Sequence, residues 1–296
     1  MSLSLLVHEI LQAEQLTLIV KGLLLQMRIH IFDVEHGECS AIETPSGELV
    51  LIGAGHNSTT GWRPSTWVRQ RNQRPSWMVL PNLDGDHLSD LPNFEPYWRP
   101  DVIKRNNFVP PGWVRQLKLA QSGQIHPGVQ TALDWMETVF TGGAVSPNFG
   151  METRFFQHSP TTFQDTNNLS VVTFLRYNEI GVMFPGDLEC AGWTEFLKDP
   201  VFLDSLRQTT ILIASHHGRE GGYCEAMFSF CGPEVVVISD KAIVHDTQDH
   251  DLYSRHCKGI TFSGALRKVL TTRCDGKITI DMPPTGGGTI SLNQTY

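Results

Sequence analysis

Four times along this 296-residue chain a short apolar run breaks off and is followed by histidines and carboxylates. "WMVL" (77–80) leads to Asn82, Asp84, Asp86 and His87, and "GVMFPG" (181–186) leads to Asp187. "ILIAS" (211–215) leads to His216, His217 and Gly218, and "VVVIS" (235–239) leads on to His245, Asp246, Asp249 and His250. Short apolar runs bounded by turn residues read as buried strands. Loops leaving one rim of a sheet can bring ligands from distant stretches together on a rigid support. The fold is therefore constrained to a sheet system whose strand ends share an edge. A polar turn capping the next helix accounts for one such cluster, whereas four in succession favour a metal site.

The residue types agree with that reading. A divalent ion takes deprotonated carboxylates and neutral imidazoles, and a mixture of Asp and His suits zinc or manganese. In "PNLDGDH" (81–87) Asp84 and Asp86 are separated only by Gly85, and His87 adjoins Asp86. Alternate side chains of a tight loop can point to one ion while the adjacent pair serves a second, and Gly85 allows close backbone approach. Asp187, delivered alone from another strand end, has two oxygens with which to bridge two ions.

Composition sets outer bounds. With 40% hydrophobic and 18% charged residues, the chain has material for an ample core. A formal net charge of -8 does not advertise nucleic-acid binding, because polyanion binders are usually basic; a metal-lined cleft can still accept a phosphodiester locally. The six cysteines include no C-x-x-C pair, which reads as reduced, intracellular thiols and excludes a disulfide scaffold. No apolar run reaches the ~20 residues of a membrane span. The longest, "LTLIVKGLLLQM" (16–27), is interrupted by Lys21, and Glu9 and Glu14 stand where a signal peptide carries positive charge. A cytoplasmic protein without membrane contact is expected. Residues 1–26 read as an extension ahead of a natural start at Met27, and residues 27–296 as one domain.

"RIHIFDV" and "CSAIET" alternate like strands, "PSGE" is a turn, and "LVLIGAG" is a buried strand entering a glycine bend. Helical patterning follows at "WVRQLKLAQ" and "GVQTALDWMETVF". Strands return at "METRFFQH", "LSVVTFLRY", "IGVMFPGD", "TTILIAS", "EVVVIS", "KVLTTRC" and "GKITIDM", with a helix at "LECAGWTEFLKD". Antiparallel hairpins and later intervening helices, without a dinucleotide-binding glycine fingerprint, predict a mixed α/β (α+β) fold of sheets covered by helices. The tryptophan-rich stretch 62–113 reads either as core or as a base-stacking surface.

The order of these segments resembles the metallo-β-lactamase fold hydrolases, in particular the branch containing the metallohydrolase domain of ComEC-type DNA-uptake competence proteins. "IFDVEHGECSAIETPSGELVLIGAG" is similar to that branch's opening hairpin, in which "DVGQGD" leads to "TPSG" and a strand ending in "DAG". "NLDGDH" stands at its H-x-[HD]-x-D-H motif, "NNLSVVTFLRYNEIGVMFPGDLE" at its "TGD" segment, "ILIASHHG" at its "HHGS" segment, and "VLTTRCDGKITI" at its closing strands. The resemblance covers residues 28–280 and implies a four-layer αβ/βα sandwich with a metal cleft on one edge. It further implies a metal-dependent hydrolase, most plainly a phosphodiesterase or nuclease acting on a nucleic acid or nucleotide, with zinc or manganese, one or two ions per chain. Asp86 and His87 would hold one ion with one of His216 and His217, Asp187 would bridge, and Asn82 with Asp84 would face the other ion. Asp86 would stand at the catalytic centre, with His245 and His250 as substrate contacts or proton donors.

The chain departs from the pattern at Asn82 for the first motif histidine, at Gly53 for the aspartate of "DAG", and at "EHGE" (35–38) for "GQGD". His126 and His158 are the candidates for a further ligand histidine. These departures motivate the alternative reading, a degenerate member serving a protein partner as a binding or regulatory subunit.

Overall fold

A computed structural model of the chain describes residues 26–94, 97–143, 145–241, 250–262 and 264–293. Most of the N-terminal extension, and His245, Asp246 and Asp249, lie outside the described residues. The expected opening hairpins form as β1 (Met27–Ile31), β2 (Ser40–Glu43) and β3 (Leu49–Ile52), and β4 (Trp77–Val79) and β5 (Val102–Lys104) follow. Next come β6 (Glu152–Phe156), β7 (Val172–Tyr177), β8 (Ile180–Phe184), β9 (Ile211–Ile213) and β10 (Val235–Ile238). The last are β11 (Ile260–Phe262), β12 (Ala265–Arg267), β13 (Val269–Thr271), β14 (Lys277–Met282) and β15 (Thr289–Asn293). Seven strands make one mixed sheet in the order β15-β14-β1-β2-β3-β4-β5, six make a second in the order β13-β10-β9-β8-β7-β6, and β11 with β12 forms a separate hairpin. Eight α-helices accompany them among the described residues, so the chain is a mixed α/β protein of the α+β type.

The two-residue side-chain period of the strands sorts the apolar residues into three cores. Ile29, Ile31, Val50, Ile52 and Val79 of the first sheet share a core with Val182, Phe184, Ile211, Ile213, Val235 and Val237 of the second. Their neighbours on the opposite pleat of the first sheet, Leu49, Leu51, Met78 and Leu80, pack with Val114 of helix Pro111–Ser122 and with Val129, Leu133 and Trp135 of helix Pro127–Thr138. On the outer face of the second sheet, Phe174, Met183, Leu212 and Val236 pack with Trp193, Phe196, Phe202 and Leu206. Each strand of a near-continuous apolar run thus satisfies two cores at once, which is why these runs do not alternate with polar residues.

Parallel pairing aligns the strand ends that matter. β3 runs parallel to β4, β8 to β9, and β9 to β10, so within each sheet the segments leaving these strands emerge on one edge. Several details differ from the sequence reading. "KVLTTRC" is a strand only to Thr271, because the Thr271 side chain accepts a hydrogen bond from the Cys274 amide and caps a helical turn at Thr272–Asp275. The three-residue strands β5, β11 and β12 carry too little periodicity to be read from sequence; the five-residue edge strand β15, TISLN, does alternate but is absent from the sequence reading. Trp62 stacks on Phe32 with ring centroids 4.4 Å apart, Trp77 is buried, and Trp67, Trp98 and Trp113 pack against the first sheet's helical core. Trp77 is thus core, and the other four rings are half-buried against that helical core. No helix among the described residues is long and apolar enough to cross a membrane.

Candidate metal centre

Asp86 and His87 sit on a single helical turn, Gly85–Leu88, directly after the segment leaving β4. Its position is fixed by backbone approach. The Ala54 amide donates to the His87 carbonyl at 2.7 Å, and the Asp90 amide donates to the Ala54 carbonyl at 2.8 Å. A Cβ on Gly37 or Gly55 would stand 2.5 or 2.6 Å from the Asp86 carbonyl oxygen, so only glycine permits the "EHGE" and "GAG" segments to close on this turn.

Asp187 follows β8, and its amide donates to Ser170 Oγ at 3.1 Å. His217 follows β9 on a turn where both His216 and His217 have left-handed backbone, with φ of 51° and 57°. Two successive non-glycine residues in that region carry strain of order 1–3 kcal/mol each. The turn is held by the His216 amide on the Gly186 carbonyl at 3.0 Å and by the Ser215 hydroxyl, which donates to the carbonyls of Gly186 and Leu188. Ser215 therefore stitches the His217 turn to both flanks of Asp187.

The result is a four-residue cluster. Asp86, His87, Asp187 and His217 each offer a ligand atom, all within 4.8 Å of one another. His87 Nε2 lies 3.0 Å from Asp187 Oδ2 and 3.9 Å from Asp86 Oδ2; His217 Nε2 lies 3.3 Å from Asp187 Oδ1 and 3.5 Å from Asp86 Oδ2. His87, Asp187 and His217 are buried, whereas the Asp86 side chain is 43% exposed and opens the cluster to solvent. Glu38 is buried behind His87, its Oε2 3.6 Å from His87 Nδ1. Both Glu38 carboxylate oxygens and Asp187 Oδ1 are buried without a hydrogen-bond partner among the described residues. The imidazole–carboxylate contacts at 3.0–3.9 Å are ion pairs, and the same four groups lie close enough to hold one cation between them. The donor set, two imidazoles and two carboxylates, fits a divalent ion.

Electrostatics point the same way. Burial opposes protonation of His87, but the Asp187 and Asp86 carboxylates outweigh it and hold the imidazole well above its ordinary value. Burial likewise opposes ionisation of Asp187, and the His87 and His217 imidazoles overcome it, holding the carboxyl below the usual range. Asp86 is lowered for the same reason, with His87 the stronger partner. The pocket attracts positive charge strongly enough to overcome desolvation.

Other sequence candidates lie apart from this group. Asp84 is engaged by Lys118 Nζ from helix Pro111–Ser122 and accepts from Thr166 Oγ1 at 2.7 Å. These two partners hold Asp84 outside the group formed by Asp86, His87, Asp187 and His217. Asn82 donates its amide nitrogen to Asp187 Oδ2 at 3.1 Å, and its Oδ1 is buried without a hydrogen-bond partner among the described residues. His216 Nδ1 lies 3.7 Å from Glu189 Oε1, and burial lowers its basicity, so of the histidine pair only His217 belongs to the cluster. His250 Nε2 lies 3.6 Å from buried Asp240, which also meets Arg273 at 3.5 Å. His126 accepts from the Gly128 amide at 3.1 Å, capping helix Pro127–Thr138, and packs over Gly85. His158 stacks on Phe196 and contacts the Gly192 carbonyl at 3.0 Å.

Sequence reasoning missed Glu38 and Lys118. The first stands at the final position of "EHGE", where a carboxylate in place of the aspartate of "GQGD" was the available signal. The second has no local signal, because nothing near Lys118 in sequence relates it to Asp84. Two cavities of ≈ 480 and ≈ 520 Å³ are lined by none of the candidate ligand residues; a small void of ≈ 10 Å³ adjoins the cluster between Glu38, His87, Gly186, His217 and Ser239.

Comparison with protein-family models finds no match to the chain, and comparison with curated proteins finds none either.

Proposed function

We propose that the chain is a metal-dependent hydrolase of the four-layer metallo-β-lactamase type, acting on a phosphodiester of a nucleic acid or nucleotide. The observation that carries this reading is the convergence of Asp86, His87, Asp187 and His217 from three separate strand ends onto one point. Two sheets sharing a core, each with helices on its other face, agree with the sandwich, and the motif order discussed above supports the family and the substrate class. Asp86, His87, Asp187 and His217 would hold the ion, which supplies water activation and neutralisation of developing negative charge when bound. Glu38 places a buried carboxylate 3.6 Å behind His87 Nδ1, and Asn82 donates to one Asp187 oxygen. The exposed Asp86 faces the side from which substrate and water enter. In this reading Lys118 is a tethered cation neutralising Asp84, so one ion per chain is expected.

The pairing of Asp84 with Lys118 is also what favours the second reading, a binding or regulatory subunit without hydrolytic activity. One experiment separates the two. Purified protein is analysed for zinc and manganese and then offered single-stranded DNA, RNA and cyclic and linear dinucleotides with either ion. Metal-dependent cleavage that disappears in the Asp86→Ala/His87→Ala double variant supports the enzyme; equal turnover by that variant eliminates the mechanism. Stoichiometric metal without cleavage of any of these substrates favours the subunit.

The stoichiometry has its own test. Lys118→Met frees the Asp84 carboxylate, and metal content is expected to rise from about one to about two ions per chain, because a carboxylate losing its cation gains affinity for another. Asp84→Asn should leave the content near one. Elemental analysis after dialysis reads both, and a parent protein already holding two ions would refute the assignment of Lys118.

A further inference from the structure

Cysteines 34 residues apart in sequence meet beside the cluster. Cys190 opens the helix Cys190–Phe196, three residues after Asp187, and Cys224 lies seven residues after His217. Their Sγ atoms are 2.8 Å apart, and Cys224 Sγ also contacts the Cys190 carbonyl at 3.7 Å. Cys190 is exposed and Cys224 is buried, so one thiol is open to an oxidant and the other is held against its back. A disulfide sulfur separation is about 2.05 Å, within a short side-chain adjustment of this contact.

We propose that Cys190 and Cys224 are a redox modification site, closing reversibly to a disulfide that ties the Asp187 segment to the His217 segment. The inference stands on the thiol geometry and does not depend on the proposed hydrolase activity. With a peroxide as oxidant, the Cys190 thiolate attacks one peroxide oxygen and gives a sulfenic acid and water. Cys224 then attacks the Cys190 sulfur, the S–S bond forms, and a second water leaves. Two thiol hydrogens and two electrons pass to one peroxide, giving two waters. A dithiol reductant reverses the step by thiol–disulfide exchange. Burial and the adjacent Cys224 thiol push the Cys190 thiol up to about 11, so the thiolate that attacks the peroxide is more abundant, and closure faster, in alkaline buffer. Once formed, the bond adds a covalent tie where the Ser215 hydroxyl already joins the same two segments.

The full chain is treated with hydrogen peroxide at pH 8.5, alkylated under denaturing conditions and digested with trypsin. Alkylatable thiols are expected to fall from six to four, and the peptide 177–198 should appear linked to 220–241, returning to separate peptides on reduction. Because 220–241 also contains Cys231, Cys231→Ser should keep the link, while Cys190→Ser and Cys224→Ser should each abolish it. Six free thiols after oxidation would overturn the proposal. So would a link that survives Cys224→Ser, or conversion of Cys190 to a sulfinic acid without a bridge.

Discussion

Replacing Asp187 by asparagine is expected to weaken metal retention by about 100-fold or more, the largest effect of any single substitution in this chain. Loss of a supporting partner alone costs about 10–100-fold in metal sites, and Asp187 is a member of the cluster itself. It lies 3.0 Å from His87 Nε2 and 3.3 Å from His217 Nε2, so it is the charge that both imidazoles face. The metal-free protein should suffer too. His87 is fully buried, and removing the carboxylate that offsets its charge leaves a buried cation poorly compensated, at a cost of about 3 kcal/mol. Asparagine nearly matches aspartate in shape, so circular dichroism should show a folded protein with a lower melting temperature. Titration of zinc and manganese into parent and variant measures the first effect, and thermal unfolding of both in chelator measures the second. Undiminished metal content in Asp187→Asn would mean that the four side chains do not act as one site.

Gly53→Ala is expected to destabilise the protein by about 3 kcal/mol, a fall of about 6–12 °C in melting temperature for a domain of this size. Gly53 has φ +73°, a conformation that costs any side-chain-bearing residue roughly 1–2 kcal/mol. The added Cβ would also stand 2.1 Å from the Glu38 carbonyl oxygen, which cannot retreat without moving the carboxylate behind His87. Part of the loss should therefore appear as weaker metal binding. Gly53 stands where the resembling family carries the aspartate of "DAG", and Gly53→Asp meets the same obstruction. Gly61, also at positive φ but with open space around it, is the control: Gly61→Ala carries the conformational cost without a collision and should lose less. A Gly53→Ala protein as stable as the parent would show that the bend relaxes freely.

Much of the cluster was legible because its members follow apolar runs. Asp86, His87, Asp187 and His217 each come after a short apolar run that reads as a buried strand, and strand ends carry ligands on a rigid frame. The same rule did not separate His217 from His216, or Asp86 from Asp84. His216 and Asp84 have the right chemistry and the right neighbours in sequence, but Asp84 turns to Lys118 and His216 turns to Glu189. Local spacing says which side chains can reach an edge, and it is silent on which partner waits there.

What the sequence determined by itself was the class of the fold, the buried strands, and the residue types able to bind a cation, because hydrophobic periodicity and donor chemistry are local properties. Only the tertiary structure decided which donors share a centre, that Glu38 stands behind His87, that Lys118 neutralises Asp84, and that Cys190 meets Cys224. Each of those pairings joins residues far apart in the chain, and their meeting depends on sheet order and on how closely glycine lets one backbone approach another. Pairings of that kind are set by packing in three dimensions, which no short window of sequence encodes.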